Sequence, residues 1–361
     1  MTHRIINFSA GPATLPLVAL ETAQKELLDF HGTGMSLMEH SHRGKTYEAV
    51  HAKTKALVKE LFGVPDTHEV LFMQGGASAQ FGLIPMNFLG KEDTGAYVNT
   101  GVWAKKAIGE AKIVAKAQEA ATSAPNFTRV PKQSEWKVDP AAKYVHITTN
   151  NTIYGTQYHF TPDTGSMPLI ADTSSDMGWR PMDVSKFALI YAGAQKNLGP
   201  AGVTLVIAKK DFVETGRKDI PTIFQYRTVL EGDSLHNTVP TFPVYMVGLV
   251  LEWVKNEGGL PAMEKRNKKK AEILYGAIDA NADYYRCPVE KESRSVMNVV
   301  FRLPTEELEN KFVSDSNKAG FSGLKGHRSA GGIRVSMYNA TSPADIEKLV
   351  GFMDSFAKSN K

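Results

Sequence analysis

The sequence predicts an α/β fold, with a mainly parallel sheet in a large domain and a smaller α/β domain after it. Short apolar runs rich in β-forming residues recur as far as residue 208, separated by helical or loop segments. These runs are continuous rather than alternating, which is typical of parallel strands buried on both faces. The chain of 361 residues is also longer than one compact core usually supports. Two domains are therefore expected.

The elements of the large domain follow in order along the chain. Apolar residues at helical spacing between Tyr47 and Leu61 predict an amphipathic helix. The predicted strands after it are residues 69–73, 95–99, 143–148, 168–172, 187–191 and 203–208. A long helix is predicted from about Thr241.

A change in the order and spacing of the predicted helices and strands marks the second domain. A break is predicted at residues 256–261, where glycine and proline interrupt the helical pattern. A basic helix over 263–280, a strand over 296–303, a helix over 305–319 and a strand over 333–337 follow it. We predict a large domain over residues 16–257 and a small domain over residues 1–15 and 258–361.

Composition excludes several classes of function. The formal charge is +4, from 42 basic and 38 acidic residues, which is too small and too scattered for a nucleic-acid or membrane surface. Cys287 is the only cysteine, so neither an intramolecular disulfide nor a cysteine metal cage is available. Residues 1–12 lack the apolar region of a signal peptide, and the longest apolar run, 244–251, is too short to span a membrane. We expect a cytoplasmic protein.

Lys196 lies in the segment Gly193-Ala-Gln-Lys-Asn-Leu-Gly-Pro-Ala-Gly202, between two predicted core strands. Lysine is strongly hydrated and rarely buried, so this position is unusual. An amine whose pKa is lowered can form an imine with an aldehyde cofactor, and the glycines let other atoms approach closely. A solvent-exposed lysine on an ordinary loop is the alternative for this segment taken alone.

Asp172 ends the predicted strand 168–172, and ligands bind at strand ends in open α/β sheets. A carboxylate there can pair with a protonated pyridine nitrogen, whereas a turn or helix-capping aspartate is the alternative. Asp172 precedes Lys196 by 24 residues, enough for one strand, a turn and a return strand. The pair indicates a cofactor site more strongly than either residue alone.

The segment Gln74-Gly-Gly-Ala-Ser-Ala-Gln80 joins a predicted strand to a helical run that ends near Leu89. Such a turn points backbone N–H groups and the positive end of a helix dipole at an anion. It matches neither the Walker A pattern nor Gly-x-Gly-x-x-Gly. We interpret it as a phosphate cradle, with an ordinary tight turn as the alternative.

Two further residues are compatible with a cofactor site. Trp103 opens the next predicted helix, and an indole can stack on a cofactor ring, although most tryptophans pack in a core. Thr152 can donate a hydrogen bond to a ring hydroxyl, although a lone threonine is usually structural.

Two basic segments predict the substrate side of the site. They are His40-Ser-His-Arg-Gly44 and Gly326-His-Arg-Ser-Ala-Gly-Gly-Ile-Arg334. Arginine binds carboxylate and phosphate groups bidentately, and histidine adds a donor. Solvated surface arginines are the alternative. His40 and His42 do not make a metal pair without further ligands, so no metal site is predicted.

The chain resembles the phosphoserine aminotransferases, a family of fold-type I, class V aminotransferases. The resemblance rests on motifs that occur in the family's order, namely Asn7-Phe-Ser-Ala-Gly-Pro12, Ser41-His-Arg-Gly44, Gln74-Gly-Gly-Ala-Ser78, the Asp172 segment, Tyr191-Ala-Gly-Ala-Gln-Lys-Asn197, Asn237-Thr238 and Gly326-His-Arg328. Val239 stands where the family often has a proline, and Ser329-Ala330 occupy variable positions. Neither departure removes a side chain to which a role is assigned.

The resemblance implies an enzyme that uses pyridoxal 5'-phosphate to transfer an amino group between L-glutamate and 3-phosphohydroxypyruvate. The products would be O-phospho-L-serine and 2-oxoglutarate, in serine biosynthesis. The family also acts on the related four-carbon phosphorylated keto acid of pyridoxine biosynthesis, giving 4-phosphohydroxy-L-threonine.

The resemblance also implies roles for individual residues. Lys196 would form the Schiff base with the cofactor, and Asp172 would pair with its pyridinium nitrogen. The cofactor would further contact Gly76, Ala77, Ser78, Trp103, Thr152 and Gln195. Asn237 and Thr238 would reach its phosphate across a homodimer interface, so that two chains share each site. The amino and keto acids would contact Ser9, His42, Arg43, His327, Arg328 and Arg334.

Other functions stay open at this point. Another class V enzyme, such as a cysteine desulfurase, needs a reactive cysteine, and Cys287 in Tyr285-Arg-Cys-Pro288 lacks the loop context that is usual for one. A non-catalytic relative with a phosphate pocket would not need both Lys196 and Asp172. A dehydrogenase would need a dinucleotide fingerprint, which the sequence lacks.

Overall fold

The structure is a computed structural model that describes residues 4–360. Residues 1–3 and 361, which the sequence assigns to the small domain, lie outside the described residues. Within residues 4–360, no helix combines the length and the apolar character needed to cross a lipid bilayer.

Strands and helices alternate along most of the chain. The strands are β1 (Ile6–Asn7), β2 (His68–Met73), β3 (Thr94–Asn99), β4 (Lys116–Thr122), β5 (Val145–Thr148), β6 (Asn150–Asn151), β7 (Thr156–Gln157), β8 (Leu169–Asp172), β9 (Leu189–Gly193), β10 (Thr204–Lys209), β11 (Asn298–Phe301), β12 (Phe321–Ser322) and β13 (Ile333–Ser336). The helices are α1 (Leu17–Glu26), α2 (Lys45–Phe62), α3 (Gly76–Phe88), α4 (Val102–Val114), α5 (Lys210–Glu214), α6 (Tyr226–Glu231), α7 (Thr241–Asn256), α8 (Gly259–Ala280), α9 (Glu306–Lys318) and α10 (Pro343–Ser359).

The main sheet has seven strands in the order β2-β10-β9-β8-β5-β3-β4. Strands β9, β8, β5, β3 and β4 run parallel to one another, whereas β10 is antiparallel to both β9 and β2. The prediction of a mainly parallel sheet is confirmed, and each predicted strand of the large domain is present with bounds shifted by at most two residues.

Strand β4 is missing from the prediction. Its sequence, Lys-Ala-Gln-Glu-Ala-Ala-Thr, is neither apolar nor β-branched in its interior. The strand lies at the edge of the sheet, where only one neighbour pairs with it and much of its length is exposed. An edge strand therefore lacks the apolar run by which the central strands are found.

The central strands are buried on both faces, which explains their continuous apolar runs. Along β10, Leu205 and Ile207 pack in one hydrophobic cluster with helices α2 and α7. Val206 and Ala208 pack in the opposite cluster with helices α3 and α4. The sheet is thus the middle layer of three.

The C-terminal part has a core of its own. Strands β11 and β13 are antiparallel, and their side chains pack with α8, α9 and α10 in a separate hydrophobic cluster. Strand β1 pairs in parallel with β12, so the N-terminal residues join this C-terminal unit. Helices α9 and α10 begin at the capping residues Thr305 and Ser342, whose hydroxyl groups accept hydrogen bonds from backbone N–H groups of the first turn.

The predicted break at residues 256–261 is too long. Helix α8 begins at Gly259, so α7 and α8 are separated only by Glu257 and Gly258. The backbone of Gly258 is left-handed, with φ of 99°, which glycine adopts without strain. Pro261 lies in the first turn of α8, where the helix requires no N–H donor, so the proline does not interrupt it.

A large-to-small substitution in the middle of the sheet should destabilise the whole large domain. Ile190 of β9 is fully buried, whereas Ile113 of α4 is 78% exposed. We expect Ile190→Ala to lower the free energy of unfolding by about 2–5 kcal/mol, because it leaves a cavity. We expect Ile113→Ala to change it by less than about 0.5 kcal/mol. Thermal unfolding of both variants checks this, and equal midpoints would contradict it.

Candidate active site

Lys196 lies in the tight connection between β9 and β10. The connection is closed by backbone hydrogen bonds from Ala194 N–H to Val203 O (3.1 Å) and from Gly199 N–H to Ala194 O (2.8 Å). Gly199 packs so closely on α7 that a Cβ there would lie 2.9 Å from a methyl carbon of Val247. The turn is therefore fixed by its small residues, and Lys196 is held at the edge of the sheet.

Asp172 lies at the same edge of the sheet as Lys196. The expectation of a return strand between them is wrong, because β9 runs parallel to β8 and Asp172 is paired with Tyr191. Parallel strands end at one edge, so the residues that follow β8 and β9 come together there. The return strand is β10, which follows Lys196. Asp172 is buried, and its carboxylate accepts a hydrogen bond of 2.9 Å from Ser174 N–H.

Burial and the charge of the partner shift the pKa values of Lys196 and Asp172 in opposite directions. Burial lowers the pKa of Lys196, the Asp172 carboxylate opposes this, and the guanidinium of Arg334 lowers the pKa further. Burial raises the pKa of Asp172, whereas Lys196 and the Ser174 hydrogen bond oppose the rise. The site therefore holds an amine that loses its proton more readily than a free lysine.

Trp103, Thr152 and Arg334 complete this group of side chains. The Nζ atom of Lys196 is 5.4 Å from the centroid of the Trp103 ring. Trp103 Nε1 donates to Thr152 Oγ1 at 3.0 Å, and Arg334 donates through Nη1 to Thr152 O at 3.2 Å. We call Lys196, Asp172, Trp103, Thr152 and Arg334 the lysine group. The structure brings together four residues for which the resemblance implies contacts with one cofactor, and Arg334, for which it implies contact with the substrates.

The predicted phosphate cradle is the N-terminus of α3. Gly75 and Gly76 are left-handed, with φ of 87° and 63°, as the turn into the helix requires. No side chain caps the helix and its first turn has no acidic residue, so the N–H groups of Gly76, Ala77 and Ser78 face outward without a capping side chain. A Cβ added at Gly76 would have no atom within 4 Å, which shows open space above the turn.

A second group of side chains surrounds Gln74, which directly precedes the cradle. Asn237 Nδ2 donates to Gln74 Oε1 at 3.1 Å, and Gln74 Nε2 donates to Thr238 O at 2.8 Å. Arg43 donates to His236 O at 3.3 Å. We call Gln74, Asn237, Thr238, Arg43 and His236 the asparagine group.

His42 directly precedes Arg43, which is a member of the asparagine group. The Nε2 atom of His42 is buried without a hydrogen-bond partner among the described residues. Within residues 4–360, Arg43 hydrogen-bonds His236, and no hydrogen bond or ion pair connects His42 or Arg43 to the lysine group.

The N-terminal segment packs against the connection that carries Lys196. Ala13 N–H donates to the Gln195 carbonyl at 2.8 Å, and a Cβ on Gly11 would lie 3.2 Å from Cγ of Lys196. Ser9 packs on Gly323, whose added Cβ would lie 2.5 Å from the Ser9 hydroxyl oxygen. Gln195 and Ser9 are thus placed near Lys196 and near the C-terminal unit, respectively.

His327 and Arg328 approach the lysine group from the C-terminal unit. Burial first, and then the charges of Arg334 and Arg328, lower the pKa of His327. Arg328 itself is exposed. Positive charge is therefore concentrated at this side of the cleft, as an anionic substrate requires.

Two residues near the site are absent from the sequence-based prediction. Asp176 is buried, accepts a hydrogen bond of 3.0 Å from Gln157 Nε2, and has its pKa raised by burial to about 6. Its position four residues after Asp172, in the same polar segment, is a signal that could have found it. Tyr338 donates to Ala10 O at 2.7 Å and links β13 to the N-terminal segment, a contact for which the sequence has no signal.

Comparison with known proteins decides the family. Residues 5–349 match the family model for class V aminotransferases. A phosphoserine aminotransferase of Niallia circulans is 51% identical over 360 residues, covering 99% of each chain. One of Bacillus subtilis (strain 168) is 50% identical, covering 99% of this chain and all of that protein. The chain belongs to the phosphoserine aminotransferase family.

Solved structures agree with this assignment. The phosphoserine aminotransferase from Bacillus circulans subsp. alkalophilus superposes with a TM-score of 0.98 at 51% identity, over the full length of both chains. A phosphoserine aminotransferase from Trichomonas vaginalis with bound pyridoxal phosphate superposes with a TM-score of 0.93 at 37% identity, over 97% of this chain and all of that one. The chain is therefore a pyridoxal-phosphate-dependent aminotransferase with the fold of this family.

The residues of this chain fit that cofactor. The uncapped start of α3, with open space above Gly76, suits a phosphate group. The lysine group adds an amine of lowered pKa, a buried carboxylate and an indole, the donor set that an aldehyde-bearing pyridine ring needs. Among the described residues, no three histidine, cysteine, aspartate or glutamate side chains are grouped to hold a metal ion.

The opposing charges around Lys196 predict opposite shifts in two variants. The Asp172 carboxylate raises the pKa of Lys196, so Asp172→Asn should lower this pKa further. Arg334 lowers it, so Arg334→Gln should raise it. Acylation of Lys196 in the cofactor-free protein, followed by mass spectrometry as a function of pH, gives the pKa directly. Shifts of the same sign in both variants would show that these two charges do not control the amine.

Proposed function

We propose that this chain transfers the amino group of L-glutamate to 3-phosphohydroxypyruvate, giving O-phospho-L-serine and 2-oxoglutarate. The observation that carries the proposal is the convergence of Lys196, Asp172 and Trp103. The glycine-rich, uncapped start of α3 adds a place for a phosphate group. Family membership supports the choice of a phosphorylated substrate. The positive charges of Arg328 and Arg334, which lie close enough to lower the pKa of His327, support anionic substrates.

We propose that pyridoxal phosphate is held by the start of α3 and by the lysine group. The N–H groups of Gly76, Ala77 and Ser78 would bind its phosphate, and Trp103, Thr152 and Gln195 would line the ring. When bound, the cofactor supplies an electron-withdrawing ring that stabilises negative charge on the substrate. Asp172 is suited to keep the ring nitrogen protonated, because a cation placed beside this buried carboxylate favours its ionised form.

Lys196 is proposed as the general base of the reaction. A lowered pKa leaves its amine unprotonated at a lower pH than a free lysine, so that it can accept the α-proton of the amino-acid substrate. The Trp103 ring beside its Nζ atom keeps water away from the amine on that side. Gly11 and the Gln195 carbonyl confine the lysine stem, so the amine reaches only a small volume.

The substrate carboxylate and phosphate groups are proposed to bind the basic residues. Arg334 is half-buried, and its Nε atom is buried without a partner among residues 4–360. An unpaired guanidinium N–H in a cleft is costly unless a ligand accepts from it, which supports a bound anion there. Ser9, His327 and Arg328 lie on the same C-terminal side of the cleft. His42 and Arg43 lie with the asparagine group.

We propose that two copies of the chain form a homodimer in which Asn237 and Thr238 serve the partner's cofactor phosphate. Beside Asn237 lies an apolar cavity of about 440 Å³, lined in part by Ile223 and Phe224, which are both more than 40% exposed. Large apolar side chains exposed around a cavity favour burial against another protein surface.

We also propose the two domains predicted from the sequence, residues 16–257 and residues 1–15 with 258–361. The separate hydrophobic cluster of the C-terminal unit and the pairing of β1 with β12 support this division. A cytoplasmic location stays a prediction.

The desulfurase alternative is not favoured. Burial raises the pKa of the Cys287 thiol, which lowers its reactivity. Cys287 lines a surface hollow with Arg286, Pro288 and Leu303, and none of these residues belongs to the lysine group.

The activity is tested by absorbance of the purified chain after addition of pyridoxal phosphate. We expect a visible cofactor band that L-glutamate removes and 3-phosphohydroxypyruvate restores, because the amino group passes through the cofactor. In Lys196→Ala, the absorbance band should no longer respond to the two substrates, and the transfer activity should be lost, since the general base is gone. The conservatively changed exposed residue Lys112→Arg is the matched control.

Other absorbance results would refute a part of the proposal. No band in the wild-type chain would refute the cofactor site. A band that responds to glutamate but not to the phosphorylated acceptor would refute the substrate and leave an aminotransferase of another specificity.

The shared site is tested with mixed dimers of two inactive variants, Lys196→Ala and Asn237→Asp, carrying different affinity tags. Asn237→Asp places a negative charge beside the phosphate and should abolish activity. If Asn237 serves the partner's site, each mixed dimer has one site with both defects and one intact site, so about half of the wild-type rate returns.

A mixed dimer without activity would place Asn237 in the site of its own chain. Mixed dimers of wild type with Lys196→Ala are the control, since they keep one intact site in either arrangement. A chain that stays monomeric during gel filtration would refute the dimer itself.

A further inference from the structure

Residues 326–332 form a closed loop that presents His327 and Arg328 to the cleft. Gly326 N–H donates to Gly332 O at 2.8 Å, and the N–H groups of Ala330 and Gly331 both donate to His327 O. A Cβ on Gly326 would lie 2.0 Å from Gly331 O, so the two legs of the loop are in direct contact. We call residues 326–332 the basic loop.

The basic loop also orients the His327 ring. Ser329 N–H donates to His327 Nδ1 at 3.2 Å. An imidazole that accepts at Nδ1 carries its proton at Nε2 when neutral, so Nε2 is the donor offered to a ligand. Because burial and the neighbouring arginines lower the pKa of His327, the neutral form is favoured.

Like charges in this region oppose the loop's position. His327 experiences the charges of Arg334, Arg328 and Lys106, all of which disfavour its protonation. The same repulsion acts between the arginines before an anionic substrate arrives. The basic loop therefore needs a contact that holds it in place in the free enzyme.

The Glu309 carboxylate on α9 supplies that contact. Glu309 is only 6% exposed, and its Oε2 atom accepts from Gly332 N–H at 3.2 Å. Its Oε1 atom accepts from Leu303 N–H at 3.3 Å, at the end of β11. One carboxylate thus joins the return leg of the basic loop to the sheet of the C-terminal unit.

Arg302 holds Glu309 and contacts the loop as well. Its guanidinium pairs with both Glu309 oxygens through Nε and Nη2, the latter at 3.2 Å. Its Nη1 donates to Ala330 O at 3.1 Å. Gly332, with φ of 70°, lies so close that an added Cβ would be 2.6 Å from Cδ of Arg302. Two charge-assisted contacts therefore converge on the return leg.

We propose that Glu309 and Arg302 are positioning residues that hold the basic loop in the geometry that binds the phosphorylated substrate. This rests on the proposed function, in which His327 and Arg328 contact the substrates. Neither positioning residue reaches the substrate itself. They act by keeping two donors beside Arg334 before binding, which removes a loop-ordering cost from the binding step.

The test compares holoenzyme kinetics of Glu309→Gln, Arg302→Lys and Arg302→Met with wild type. The loss of a charged hydrogen bond to the loop should raise KM for 3-phosphohydroxypyruvate by about ten-fold or more. The kcat should stay within about two-fold, because the lysine group is untouched. Arg302→Lys should raise KM less than Arg302→Met does, since a lysine retains the charge of the arginine but not its two-pronged geometry.

A further measurement and a control variant separate positioning from general stability. Amide hydrogen exchange of residues 326–332 should become faster in Glu309→Gln, whereas exchange in β8 and β9 should not change. Asp315→Asn is the matched control, because Asp315 lies on the same helix and pairs with Lys311 and Lys318 at the surface. We expect this control to alter neither KM nor exchange in the basic loop.

The outcomes separate this proposal from the proposed function. If Arg328→Ala raises KM strongly but Glu309→Gln does not, the substrate role of the loop stands and the positioning role is refuted. If neither variant changes KM, the basic loop does not bind the phosphorylated substrate, and both fail. A lower kcat and lower thermal midpoint at unchanged KM would make Glu309 a structural residue only.

Discussion

The cleft depends on two opposite charges at one edge of a parallel sheet, the buried Asp172 and the half-buried Lys196. Removing either charge from water costs several kcal/mol, and the charge of the other offsets part of that cost. The pKa of each group is accordingly moved toward its neutral form by burial and back toward its charged form by the partner. Only the parallel arrangement of β8 and β9 brings the two residues together, because their carboxyl ends then meet.

The layer of side chains beneath Asp172 is polar but uncharged. Tyr191 pairs with Asp172 across the strands, and its hydroxyl group hydrogen-bonds His146 Nε2 at 2.9 Å. Burial lowers the pKa of His146 to about 3, so its ring is neutral, and burial raises the pKa of Tyr191. Next to them the hydroxyl groups of Tyr97 and Tyr144 are 2.6 Å apart. Because no member of this layer is charged at neutral pH, none of them competes with the lysine–aspartate pair.

The sequence predicts the central strands of the main sheet well because they are apolar on both faces. The edge strand β4 lacks that pattern and was missed, since one of its sides faces water. Residue patterns alone predict the pair of Lys196 and Asp172, and only the family resemblance implies that Trp103 and Thr152 share their site. The contact between Lys196 and Trp103 itself was not predicted, because it depends on how distant segments pack. The Glu309 contact has no signal in the sequence, since a glutamate on an amphipathic helix normally faces solvent.

The placement of basic residues explains how one fold serves an anionic substrate without a charged core. Arg334 sits on β13 and donates to Thr152 of the large domain, so it stands where the two units meet. Arg328 and His327 lie on a loop whose two legs are tied at Gly326 and Gly332. The edge of the sheet therefore positions Lys196 and Asp172, and the surrounding segments provide the positive charge that selects the substrate. A change in substrate preference would then arise in the loops and their supporting contacts, because a charge introduced among the buried strands would be opposed by the full cost of desolvation.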